Sequence, residues 1–182
     1  MQPTSRPMAA RAWRAISAIL AATVAVALLS APVAAGQSSV AELRQATAPF
    51  HSLAAAQAAG YTLQVYDLAG ITCIADPNGT GTMGIHFLNP DTLGSVDPTR
   101  PQLVIYVPRP DGSMKLVAVE FLVIAADWDA THSSPPSLFG EEYRLTTAPN
   151  RYGLPDFYEL HVWAWQPNPL GMFNEWNPRV SC

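Results

Sequence analysis

Basic residues are scarce in this chain and lysine is nearly absent: Lys115 is the only one, and Lys plus Arg number 10 against 14 Asp plus Glu over 182 residues. Binding to phosphates in a row takes a basic face that this composition does not supply, so nucleic acid is set aside as a partner and anionic membrane surfaces are disfavoured. Cysteine is rarer than most residue types, with Cys73 and Cys182 alone. Neither belongs to a CxxC or Cys-His cluster, which argues against thiolate metal ligation. A GxSxG elbow, a P-loop and a strand-to-helix dinucleotide fingerprint are missing, so the corresponding hydrolase, nucleotide and cofactor chemistries have no sequence support. Also missing are the HxH, HxxxH and HExxH spacings, so a histidine metal site would have to be assembled from distant parts of the chain.

No long transmembrane run is present either. Ile16 to Leu29 is apolar but falls short of the ~20 residues that cross a bilayer. Arg6, Arg11 and Arg14 precede it, and Val33-Ala34-Ala35 follows as a small-residue cleavage site, the three-part pattern of a secretory signal peptide. Residues 1–35 are therefore expected to be a leader that is removed, with no membrane anchor left, and residues 36–182 to be a single exported domain, secreted or periplasmic. Without paired arginines the leader does not indicate the twin-arginine route. The exported part carries seven basic and fourteen acidic residues, a formal charge of −7.

In an oxidising compartment the pair Cys73 and Cys182 is expected to form one disulfide, which would tie the chain end to the middle of the fold. Closing so long a loop stabilises by ~4–5 kcal/mol in the chain-entropy picture.

The expected fold class is α+β: short N-terminal helices packed on an antiparallel sheet of five to seven strands, with curling toward a barrel as a further expectation. Ser39 and Glu42 have capping-box spacing for a helix over Val40 to Thr47. Pro49 suits the first turn of a second helix running over Phe50 to Ala59 and stopped by Gly60. Strands are then read at Tyr61 to Tyr66, Ile71 to Ala75, Met83 to Leu88, Leu103 to Val107 and Lys115 to Ile124. Asp76-Pro77-Asn78-Gly79 and Pro110-Asp111-Gly112-Ser113 are read as turns. Asp127 to Gly140 reads as a long irregular connection of the kind that serves as a lid or binding loop.

Tyr158 to Trp165 alternates, which would place Glu159, His161, Trp163 and Trp165 on one strand face and Tyr158, Leu160, Val162 and Ala164 on the other. The run ELHVWAWQPNPLGMFNEWNPRVSC, with MGIHFLNP and LVAVEFLV, resembles a family of exported single-domain bacterial proteins. That resemblance covers most of the exported part and implies that His86, Glu120 and His161 belong to the family's pattern. It implies no reaction.

The chemistry of those three residues points to a divalent transition metal. Each projects from a different predicted strand, and two imidazoles plus a carboxylate can hold a cation while leaving coordination positions open. Glu120 is the most telling, because it interrupts the apolar run Leu116 to Ile124, and an ionised carboxylate there must be paired, metal-bound or hydrogen-bonded. The plain alternative is a structural partner, Arg144, Arg151 or a tyrosine hydroxyl, with the histidines bonded to backbone or carboxylate. His51, in a first helical turn, is a candidate additional ligand or general base, whereas His132 reads as solvated.

A second class of function rests on the indoles of Trp163 and Trp165. An aromatic face on an acidic domain suits sugars, organic cations or apolar small molecules, in a binding module without catalysis. A structural envelope protein with internally satisfied polar strand residues is a third.

Overall fold

Antiparallel pairing dominates the computed structural model, which describes Met1 and residues 33–182. Of the leader expected at residues 1–35, residues 2–32 lie outside the described residues. Nine strands follow two N-terminal helices: β1 Leu63–Gln64, β2 Cys73–Ala75, β3 Thr82–Leu88, β4 Leu103–Pro108, β5 Met114–Ile124, β6 Ser137–Leu138, β7 Glu141–Glu142, β8 Arg144–Thr146 and β9 Phe157–Val162. Seven of them form one open sheet in the order β1-β3-β4-β5-β9-β8, with β2 also on β3, while β6 and β7 pair by themselves. The α+β expectation holds. The sheet is not closed into a barrel.

Helix α1, Val33–Thr47, starts before the expected capping box, so Ser39 lies within the helix rather than at its N-cap. Ala34 and Ala35 are strong helix formers and carry it back past that point. Its described side chains bury Val40, Leu43 and Thr47, a three-to-four-residue stripe turned to the sheet. The expected second helix divides in two. Ala48–His51 is one 3₁₀ turn and α2 spans Leu53–Ala58, because Ser52 adopts an extended backbone and its hydroxyl accepts from Ala55 N at 3.3 Å. A serine able to cap competes with helix continuation at that point. The third helix, α3 at Ala125–Asp129, and β6 occupy part of what reads in sequence as an irregular connection over Asp127 to Gly140, and β7 follows it directly.

Both faces of the sheet are covered, which is why β9 is buried at every position. One face carries Phe87, Val104, Val119, Phe121 and Leu160 against Leu43, Ala56 and Tyr61 from the helical side. Tyr106 crosses this core and donates its hydroxyl to Phe50 O at 2.6 Å. The other face carries His86, Leu103, Glu120 and His161, and is partly sealed by the C-terminal segment: Val180 and Trp163 pack there with Ile105 and Ala118.

The C-terminal segment is fixed in two ways. Cys73 and Cys182 form the expected disulfide, across 109 residues of chain. Thr82 and Asn177 exchange backbone hydrogen bonds at 3.2 and 3.1 Å. Gly81 makes that approach feasible, since a Cβ there would lie 2.4 Å from the Asn177 carbonyl carbon. Gly79, Gly81 and Gly84 have the spacing of a dinucleotide-binding glycine loop, but Gly84 already lies within β3 and no helix opens there, so no phosphate cradle of that kind forms. No helix among the described residues is long and apolar enough to cross a membrane.

Candidate metal centre

Strand register explains how residues so far apart in sequence meet. Glu120 on β5 is the direct cross-strand partner of His161 on β9, and of Leu103 on β4. His86 on β3 pairs with Ile105 on β4, so it reaches Glu120 across an intervening strand. Three inter-strand steps separate β3 from β9, ~14 Å on a flat sheet. Two imidazole side chains can meet over that span only if the sheet curves with this face inward. The register shift between Ile105 and Tyr106, opposite β5, supplies a local bend of the kind that increases twist.

On the inward face the three side chains converge. His86 Nε2 lies 3.4 Å from His161 Nε2 and 3.4 Å from Glu120 Oε2, and His161 Nε2 lies 3.7 Å from the same oxygen. All three residues are buried, at 3–5% exposure. Burial drives both imidazoles down to about 3; His161 adds to the effect at His86, and Arg144 adds to it at His161. Both rings are thus neutral at ordinary pH, with lone pairs available. Burial, and after it the neighbouring Glu159 carboxylate, raises Glu120 well above the usual carboxylate range. Arg144 opposes this, as the least of the named effects, and no arginine or lysine among the described residues lies within ion-pair distance of Glu120.

The arginines that could have paired with Glu120 are engaged elsewhere. Arg144 pairs with Glu159 and Glu175, each at 2.5 Å, and Arg151 pairs with Asp67 at 2.9 Å. Glu159 also accepts from the Thr146 hydroxyl. Strand alternation places Glu159 on the His161 face but assigns it no partner; the signal is its i, i+2 relation to His161, which sets both on one side of the strand.

The centre stands between two openings. A cavity of about 160 Å³ lies on one side, with His86, Glu120 and Tyr152 as its polar groups and Leu88, Leu103, Leu122 and Phe157 among its walls. A cleft of about 290 Å³ lies on the other, lined by Glu141, Glu142, Arg144, Glu159, His161 and Glu175. The first is apolar in character. The second, rich in carboxylates, would raise the local concentration of cations.

The remaining candidates fall outside this group. His51 is exposed and packs edge-on against Trp165, with ring centroids 4.4 Å apart. His132 is exposed as expected, and stacks on Trp128 at 3.7 Å. Trp163 and Trp165 do not continue the strand alternation, because β9 ends at Val162, although both line a cleft of about 480 Å³ with Arg44 and Met172. Trp163 is 2% exposed and donates its indole N–H to Asn174 O at 2.6 Å. Trp165 turns to the helical side and donates to Thr47 Oγ1 at 3.2 Å. After β9 Trp163 N bonds to Met172 O, and Trp165 N returns to Val117 O on β5 at 3.1 Å.

Among the described residues, the His86, Glu120 and His161 group is the one set of three or more candidate ligands whose donor atoms lie within 4.8 Å of one another. The arrangement can hold a metal ion. Comparison with protein-family models, curated proteins and solved structures finds no match to this chain.

Proposed function

We propose that this chain is an exported metalloprotein that holds one divalent transition ion, with zinc the best fit, through His86 Nε2, His161 Nε2 and Glu120 Oε2. The observation that carries the reading is a buried carboxylate with no cationic side chain beside it, facing two buried neutral imidazoles at 3.4 and 3.7 Å. An ion with bonds of ~2.0–2.2 Å at tetrahedral angles has its ligand atoms ~3.3–3.6 Å apart, close to the separations found here. An octahedral arrangement on the same three atoms would need bonds of ~2.5 Å, long for transition ions bound to nitrogen. Two histidines and one carboxylate leave a coordination position for water or ligand, the donor count of reactive zinc sites rather than of structural ones.

Export supports the reading. The leader pattern and the disulfide both suit an oxidising compartment, where the chain would fold and then take up its ion through the acidic cleft. The test is elemental analysis of the protein lacking residues 1–35, produced without a histidine tag and with its disulfide intact, beside the His86→Ala/His161→Ala double variant. About one equivalent of metal in the parent and none in the variant is expected. Less than a tenth of an equivalent in the parent after reconstitution with zinc would overturn the proposal.

A further inference from the structure

The cavity beside the centre has a composition that a metal site alone does not require. Its walls come from four strands and three loops, and apart from His86, Glu120 and Tyr152 they are aliphatic or phenyl groups. The loop ahead of β4 brings in Leu93, and the loop ahead of β9 brings in Tyr152 and Leu154. The first loop is held in place by Gln102, whose buried amide donates to Thr92 O and Ser95 O and accepts from Leu122 N. Leu93 and Leu154 are substantially exposed at 48% and 39%, so the cavity opens to solvent past apolar residues. Its volume, about 160 Å³, resembles that of an apolar cavity of ~150 Å³ known to accept benzene. The space suits a short hydrocarbon group.

One polar group is aimed at nothing else of consequence. Tyr152 has its hydroxyl hydrogen bond to Met83 Sδ at 3.8 Å, a weak acceptor. Burial, and next the Glu120 and Glu159 carboxylates, push its ionisation upward, so the hydroxyl stays a donor. A divalent ion held by two neutral imidazoles and one carboxylate would retain one positive charge in a buried site. Such a charge calls for an anionic ligand.

We infer that the cavity receives a small amphiphilic carboxylate, whose head completes the coordination of the ion and accepts from Tyr152, and whose short apolar tail lies against Leu103, Leu122 and Phe157. This rests on the metal reading above and specifies the ligand class for the same centre. The head group replaces water on the ion, with no bond of the ligand broken. Glycans and large organic cations do not fit a cavity of this size and lining.

The test uses the protein lacking residues 1–35 with its disulfide intact, loaded with cobalt(II), and titrated with acetate, butyrate, hexanoate and octanoate. Each added methylene is expected to tighten binding by about three- to fourfold until the cavity is filled, and each carboxylate should shift the visible bands of the bound cobalt. Leu154→Asp, at the exposed rim, should flatten the dependence on chain length while leaving metal content unchanged. Tyr152→Phe should weaken all four ligands by a similar factor, about fivefold or more, with the slope retained. Cobalt bound normally with no chain-length dependence would overturn the ligand assignment and leave the metal site standing. Chain-length dependence without a spectral shift would overturn coordination of the head group. Failure to bind cobalt or zinc at all would overturn both readings.

Discussion

Glu120 and Glu159 are diagonal neighbours on one face of the sheet, and each is 5% exposed, yet the fold treats them differently. Glu159 has a guanidinium at 2.5 Å and the Thr146 hydroxyl. Glu120 forms no ion pair with arginine or lysine among the described residues; it faces the imidazoles of His86 and His161, both of which burial holds neutral. One buried carboxylate is thus satisfied by a cation from the chain. The other is placed where a cation from outside would complete the same electrostatic pattern. The proposed metal site rests on this contrast rather than on burial or charge, which the two residues share.

The largest expected effect that sharpens this contrast comes from Glu120→Gln. Removing one of three ligands should weaken zinc binding by roughly a thousandfold, about 4 kcal/mol, taking structural-zinc binding energies divided among ligands as the scale. Metal-free unfolding should change by no more than ~1 kcal/mol, because the amide is no worse buried there than the carboxyl. Competition titration with a zinc chelator, beside urea unfolding of the metal-free protein, measures both. Chelation of the parent protein comes next. At zinc a hundred times above its Kd, binding stabilises by ~2.7 kcal/mol, so removal should lower Tm by about 5–10 °C.

Arg144→Met turns the comparison round by leaving Glu159 in the situation of Glu120. Breaking a fully buried pair costs ~3–5 kcal/mol, but Arg144 is 54% exposed, so solvent screening reduces the expected loss to ~2 kcal/mol. Urea unfolding at pH 7 measures that loss. A variant as stable as the parent would remove the structural half of the contrast.

The pH dependence of the metal-free protein is the smallest effect per step. Each of His86 and His161 goes from 6.5 when unfolded to about 3 in the fold. Below about pH 6.5 the unfolded chain therefore binds protons the native state refuses, and stability falls with acid. Glu120, raised above 4.5, acts in the opposite sense and loses stability as pH rises through that value. Two imidazoles outweigh one carboxyl, so these three groups together lose stability as pH falls below about 6.5. Urea midpoints across that range, in parent and double-histidine variant, isolate the contribution. An unchanged slope in the variant would show that the imidazoles are not held neutral.

Much of the centre is legible in the sequence. Glu120 announces itself by breaking an apolar strand, and period-two alternation sets Glu159 and His161 on one side of β9. What a single chain does not carry is strand order. The meeting of His86 with Glu120 depends on β3 and β5 both flanking β4, and on curvature introduced near Ile105, neither of which has a local signature. The same limit explains the indoles. Alternation predicts faces only while a strand continues, and the turn after Val162, with Ala164 N bonded to Val162 O at 2.8 Å, sends Trp165 to the other side. Ser52 is a local conflict of a different kind: its alanine-rich surroundings favour one helix, but its hydroxyl and extended backbone make a new start.

Anomalous diffraction from zinc-loaded crystals tests the central claim most directly. One strong peak is expected ~2.0–2.2 Å from His86 Nε2, His161 Nε2 and Glu120 Oε2, with Glu159 still bound to Arg144. A centre without anomalous density, its two imidazoles bonded directly to each other or through water, or a peak confined to the acidic cleft, would contradict it.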